Sequence, residues 1–135
     1  MAFHENIRGL LNKLGELLRF LSPDFPQVLC LNEHHLKHSE IDFICLDQYK
    51  PGAKFCRESL MNVGVSIFVH DTLQCSNINL DEFCKEQGIK AHAVKSNSLS
   101  LTICIKSIYR SPTGNLVHFL RTLRLHSECL TQQHD

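Results

Sequence analysis

The chain has 135 residues, 43% hydrophobic and 21% charged, which suffices for one domain with a real core and is too short for two ordinary ones. Its 14 lysines and arginines balance 14 aspartates and glutamates. That balance is not the composition of a strongly basic nucleic-acid binder, although it leaves room for a local basic face. No apolar run reaches the length of a membrane span, and the first residues carry no signal-peptide pattern. The expected location is intracellular, nucleus or cytoplasm, without membrane partners.

In chain order, Met1 to Ile7 has room for a short strand only. Leu10, Leu14, Leu17, Leu18 and Leu21 then recur at helical spacing, with Asn12, Lys13, Glu16 and Arg19 on the other face. Gly15 inside this pattern costs about 1 kcal/mol relative to alanine. The helix must end by Ser22, because Pro23 disfavours helical geometry in the residue before it. Pro23 to Pro26 is a turn. Val28 to Leu31 is a short apolar run that reads as a buried strand.

Asn32 and Glu33 stand at the exit of that strand. Open α/β sheets place ligand sites at the carboxyl ends of their strands. A carboxylate there is the oxygen ligand a hard cation such as magnesium takes. His34, His35 and His38 follow; they lack the HExxH order and a nearby cysteine, so they read as surface histidines rather than a zinc cluster. Seven cysteines at wide spacings include no Cys-x-x-Cys pair. Cys30 and Cys104 lie in apolar runs and read as buried thiols.

From His34 to Asp47 the pattern is mixed, with a weak apolar pair at Ile41 and Ile44. Tyr49 to Gly52, with Pro51 inside, predicts a loop or turn. Val65, Ile67 and Val69 alternate with Ser66, Phe68 and His70 and predict a strand. Asn77 to Phe83 fits no single element. Ala91 to Lys95 predicts a short strand and Ser96 to Ser98 a turn. Leu99, Leu101, Ile103 and Ile105 alternate with Ser100, Thr102, Cys104 and Lys106, and the strand runs on to Tyr109. A turn at Ser111 to Gly114 precedes a helix marked by Leu116, Phe119, Leu120 and Leu123, with Thr113 or Asn115 as its cap. The stretch 127–135 is expected to be a polar, frayed tail. The order strand, helix, strand belongs to a layered α/β domain.

Three motifs occur in order: Asn6-Ile-Arg-Gly-Leu10, LCLNEHHL around Glu33, and Ser107-Ile-Tyr-Arg-Ser-Pro112. The set resembles the endonuclease/exonuclease/phosphatase superfamily, most closely the endonuclease domain of non-LTR (LINE-type) retrotransposons. The run Val63 to Val69 also looks like that family's glycine-valine strand, with Val63 at the place of a first glycine. The resemblance implies a partial α/β sandwich over residues 1–126, roughly the first half of the domain. It implies that Glu33 holds magnesium or manganese, that Asn6 donates its amide to the metal shell or the phosphate, and that Tyr109 closes the site. Tyr109 shares the parity of the inward row Leu99 to Ile105, so its hydroxyl is expected at the site mouth. Arg110 is the implied phosphate- and DNA-binding cation.

The family continues with a Gly-Asp-x-Asn strand and ends in a Ser-Asp-His signature, neither of which occurs in this sequence. The implied partners are therefore DNA, the C-terminal half of the domain, and a reverse transcriptase in the parent protein. Metal binding by the fragment alone is expected to be weak, and enzymatic activity stays open because half of the catalytic residues are lacking. The alternatives are a non-enzymatic remnant acting as an interaction module, or a fragment of a related phosphatase. His34 and His35 are poor substitutes for the absent base, since neighbours on an extended backbone point to opposite faces. Half a sandwich also predicts that the row Val65, Ile67, Val69 and the row Leu99 to Ile105 lack part of their cover.

Overall fold

The computed structural model describes residues 2–56, 64–80, 89–97, 102–110, 112 and 114–132. Expectations for Val63, Phe83, Ser98, Leu99, Leu101, Ser111, Thr113 and residues 133–135 lie outside these. Strand β1 (Ala2–Asn6) leads through a 3-10 turn (Leu11–Lys13) into α1 (Leu14–Leu21) and back to β2 (Val28–Asn32). A short helix α2 (His38–Ile41) precedes β3 (Tyr49–Cys56) and β4 (Gly64–His70). Then come β5 (Cys75–Ile78), β6 (Ile89–Asn97), β7 (Thr102–Arg110) and α3 (Leu116–Gln132). The strands form two sheets, β1-β2-β4-β3 and β5-β6-β7.

The first sheet is mixed. β1 and β2 are parallel, so their connection must cross over, and α1 is that crossover. α1 buries Leu17 and Leu21 against the sheet together with Leu10, Leu29, Leu31 and Phe68. It stops where expected: the Ser22 N–H bonds the Leu18 carbonyl and Ser22 is already extended. β2 and β4 pair antiparallel in the middle of the sheet, Cys30 opposite Ile67. Both strands are covered on both faces. The second face packs Val28, Cys30, Ile67 and Val69 against Val94 of β6 and Ile105 of β7. The expectation that the Val65, Ile67, Val69 row lacks cover is thus corrected, since all three are fully buried.

Tyr49 to Gly52 is strand rather than loop. β3 is an edge strand, where a proline removes no ladder bond that the sheet needs, and its register shifts between Pro51 and Ala53. Gly52 sits where a β-carbon would come within 2.7 Å of Val69 Cγ2 and 3.0 Å of Val94 Cγ1. The two sheets approach across it, so the residue that signals a turn in sequence here serves close packing.

In the second sheet β6 runs past the expected Ala91 to Lys95. Ser96 pairs with Cys75 instead of turning, and its hydroxyl donates to the Gln74 carbonyl at 3.0 Å. The expected strand through Tyr109 is β7, nine residues paired with β6. Asn115 caps α3 through Oδ1, which accepts the His118 N–H at 3.0 Å. The helix continues to Gln132, so residues 127–132 are helical rather than frayed. A Ser127 hydroxyl bond to the Leu123 carbonyl and an Arg124–Glu128 pair at 3.0 Å accompany that last stretch. Cys30 is buried as expected, while Cys104 is only half-buried. No helix among the described residues is long and apolar enough to cross a membrane.

Candidate functional site

The ends of β1 and β2 are carried on, beyond the strands, by backbone bonds. The N–H groups of Ile7, Gly9 and Leu10 donate to the carbonyls of Asn32, Glu33 and His34 at 3.0, 2.9 and 3.0 Å. Two loops are thereby clamped side by side. Within them Arg8 (φ 46°), Gly9 (φ 98°), Glu33 (φ 54°) and His35 (φ 61°) are left-handed. Three of the four are not glycine, and that conformation costs an L-residue free energy. Such strain gathers where a site needs a particular side-chain direction.

The direction it produces is that of Glu33. Its carboxylate is 18% exposed, with Oε1 accepting the Tyr109 hydroxyl at 3.2 Å and Oε2 lying 3.7 Å from Arg8 Nε. Tyr109 comes from the second sheet, 76 residues away in sequence. Its parity with Ile105 is the expected one: Ile105 packs between the sheets, and Tyr109 emerges two pleats further along the same face. Behind this contact lies a polar strut. Asn32 is buried, donates through Nδ2 to His4 Nε2 at 3.0 Å, and accepts the Ser107 hydroxyl on Oδ1 at 3.2 Å. Ser107 also hydrogen-bonds the Cys30 thiol; burial nevertheless pushes that thiol up from its ordinary value. The strut joins β1, β2 and β7 just below the carboxylate.

His34 is fully buried, not a surface residue. Its Nδ1 accepts the Leu36 N–H at 3.0 Å, and its ring lies on Gly64, where any β-carbon would collide with it. His35 is half-buried, with Nε2 enclosed and unpartnered among the described residues. His34 and His35 are not neighbours on an extended backbone as expected, because Glu33 and His35 are left-handed.

Of the residues singled out from sequence, Glu33 and Tyr109 are brought together. Asn6 is not brought to them by any bond among the described residues. It is exposed and lines a cleft of about 430 Å³ between β1 and α1 with Glu5, Lys13 and Phe20. Arg110 is exposed and donates to the Gly114 carbonyl at 3.1 Å. Arg8, Asn32, Ser107 and the His34–Gly64 contact are site features not expected from sequence. Arg8 stood inside a motif already singled out, and Ser107 shares the parity of Tyr109; the histidine left no signal.

The donor set can be tested against a metal. Among the described residues, no group of three or more His, Cys, Asp or Glu is placed to hold one. Magnesium asks less, being held by one or two carboxylates while it keeps several waters. Glu33 at the loop mouth fits that demand. Among the described residues its Oε2 is paired with Arg8, a long, exposed cation that can swing aside.

No protein-family model matches the chain, and no curated protein does. Among solved structures, the AP endonuclease LMAP from Leishmania major superposes with a TM-score of 0.58 at 19% identity. The match covers 89% of this chain and 42% of that one, so the chain spans well under half of that endonuclease. The likeness shows the fold, a two-sheet α/β sandwich.

Proposed function

We propose that these residues form the carboxylate half of a magnesium-dependent DNA endonuclease site, from a non-LTR retrotransposon lineage, and that the 135 residues alone do not cleave DNA. The observation that carries this reading is the Tyr109–Glu33 hydrogen bond at 3.2 Å, which joins two motifs from different sheets at one loop mouth. The AP endonuclease likeness supports the endonuclease direction, and the wording LCLNEHHL with SIYRSP supports the retrotransposon branch.

In this reading Glu33 would hold magnesium or manganese, and Asn6 would offer its amide to the metal or the phosphate. A bound divalent ion supplies Lewis-acid stabilisation of charge on a phosphate. Tyr109 fixes the carboxylate through its hydroxyl. Arg110 neutralises a neighbouring DNA phosphate once it leaves the Gly114 carbonyl. What the chain lacks is a base to orient or deprotonate water. Such a base contributes roughly a hundred- to ten-thousand-fold in rate. His34 is buried with Nδ1 committed to backbone, and no carboxylate from a matching motif supports His35. The remaining half of the domain, joined to a reverse transcriptase, is the proposed partner. Its natural seat is the side where β1 and β7 both end their sheets.

Supercoiled plasmid incubated with the purified chain and magnesium tests this. The expected result is no nicking above a Glu33→Ala control. Nicking that disappears in Glu33→Ala overturns the claim of inactivity and leaves the endonuclease reading standing.

A further inference from the structure

We infer that Arg8 competes with a divalent cation for Glu33, and so sets the metal affinity of the site. The inference rests on reading Glu33 as the metal carboxylate. Arg8 Nε lies 3.7 Å from Glu33 Oε2, the carboxylate oxygen that Tyr109 does not hold. The guanidinium thus stands where a cation would approach, and it already compensates the charge of Glu33.

Its presence there is built into the backbone. Arg8 is left-handed, between Ile7 and Gly9, whose N–H groups are bonded to the Asn32 and Glu33 carbonyls. The point from which the side chain leaves is therefore fixed beside the carboxylate. The side chain itself is 77% exposed, so the pair is loose and can open. Two states follow. In one, Arg8 pairs with Glu33. In the other, a divalent cation takes the carboxylate and the guanidinium is displaced into solvent or onto an anion beside the site. A metal entering the second state works against the repulsion of a neighbouring positive charge, as well as giving up its water. Arginine does not lose its charge at any working pH, so the competition is permanent.

The probe is manganese(II), titrated against the intact chain and followed by its electron paramagnetic signal. Arg8→Gly and Arg8→Gln remove the charge, the first without backbone strain at φ 46°. Arg8→Lys keeps the charge, and Glu33→Gln removes the ligand in each background. Circular dichroism confirms that every variant is folded. Removing one positive charge beside a dication should tighten binding roughly three- to tenfold at low salt. The expected result is that gain in both neutral variants, wild-type affinity in Arg8→Lys, and loss of binding with Glu33→Gln. Glu33-dependent binding that is equal in wild type and the neutral variants overturns the role of Arg8 while leaving Glu33 its role. So does an equal gain in Arg8→Lys. Absence of Glu33-dependent manganese binding in every variant removes Glu33 from the metal role, and this inference with it.

Discussion

The middle of the first sheet and the outer parts of the second region differ in how their apolar residues are used. β2 and β4 are sealed on both faces, by α1 on one and by the second sheet on the other. β7 and α3 are covered in part. Ile103 is 46% exposed, and Leu116, Val117 and Leu120 of α3 are more exposed still. The candidate site lies where the two regimes meet, with Glu33 leaving the sealed sheet and Tyr109 the open one. A carboxylate can be aimed with accuracy from a rigid support, while the partner strand β7 ends its sheet among the described residues.

The largest expected effect tests that contrast directly. Ile67→Ala empties a fully buried position, and such deletions cost about 2–5 kcal/mol, because the cavity collapses only in part. Ile103→Ala, a smaller loss of the same side chain from a half-open strand, should cost less than about 1 kcal/mol. Urea unfolding of both variants checks this. Equal losses would mean that β7 is as well covered as β4, and the contrast would be wrong.

A smaller effect probes the support of the site. Gly64→Ala drives a β-carbon into the His34 ring, which is fully buried and cannot step aside. Overpacking of this kind typically costs about 1–3 kcal/mol. The displaced ring should also loosen the loop that carries Glu33, so the Tyr109–Glu33 contact should weaken. Nuclear magnetic resonance of the Tyr109 ring, alongside thermal unfolding, reads both. A variant as stable as wild type with unshifted Tyr109 signals would show that the histidine does not brace the loop.

The sealed sheet was largely legible in the sequence. Val28 to Leu31 and Val65 to Val69 read as strands because continuous or alternating apolar runs have few other uses. α1 was legible from its leucine spacing and from Pro23. β3 was not, because Pro51 and Gly52 are turn residues in most settings, and only an edge strand packed closely on Val94 makes them strand residues. In the site, Glu33 was legible as a carboxylate at a strand exit and Tyr109 from strand parity. Arg8 and His34 were not, because their positions depend on left-handed residues that are not glycine, and no local propensity announces those. The exposed rows were half legible: the expectation of missing cover failed for β4 and agrees with the exposure of Ile103 in β7.

The smallest expected effect lies on α3. Leu116 and Leu120 stand four residues apart on the helix, with Val117 beside them, and are 56, 54 and 70% exposed. A helix that presents leucine to water on one side has not used that side for folding. Leu120→Gln should therefore change the unfolding free energy by no more than about 0.5 kcal/mol, as surface substitutions usually do. Glutamine also keeps nearly the helix propensity of leucine, so the backbone gives no compensating signal. What should change is association. Contiguous exposed apolar side chains mark surfaces that other chains cover. The double variant Leu116→Gln, Leu120→Gln should bind less of an apolar dye, and should stay monomeric to higher concentration in sedimentation. A stability loss of 2 kcal/mol or more, on the scale of about 2–5 kcal/mol seen when a buried leucine is truncated, would mean that α3 packs on the domain in solution. The second region would then be sealed as the first one is, and the open edge proposed as the seat of the rest of the domain would be closed.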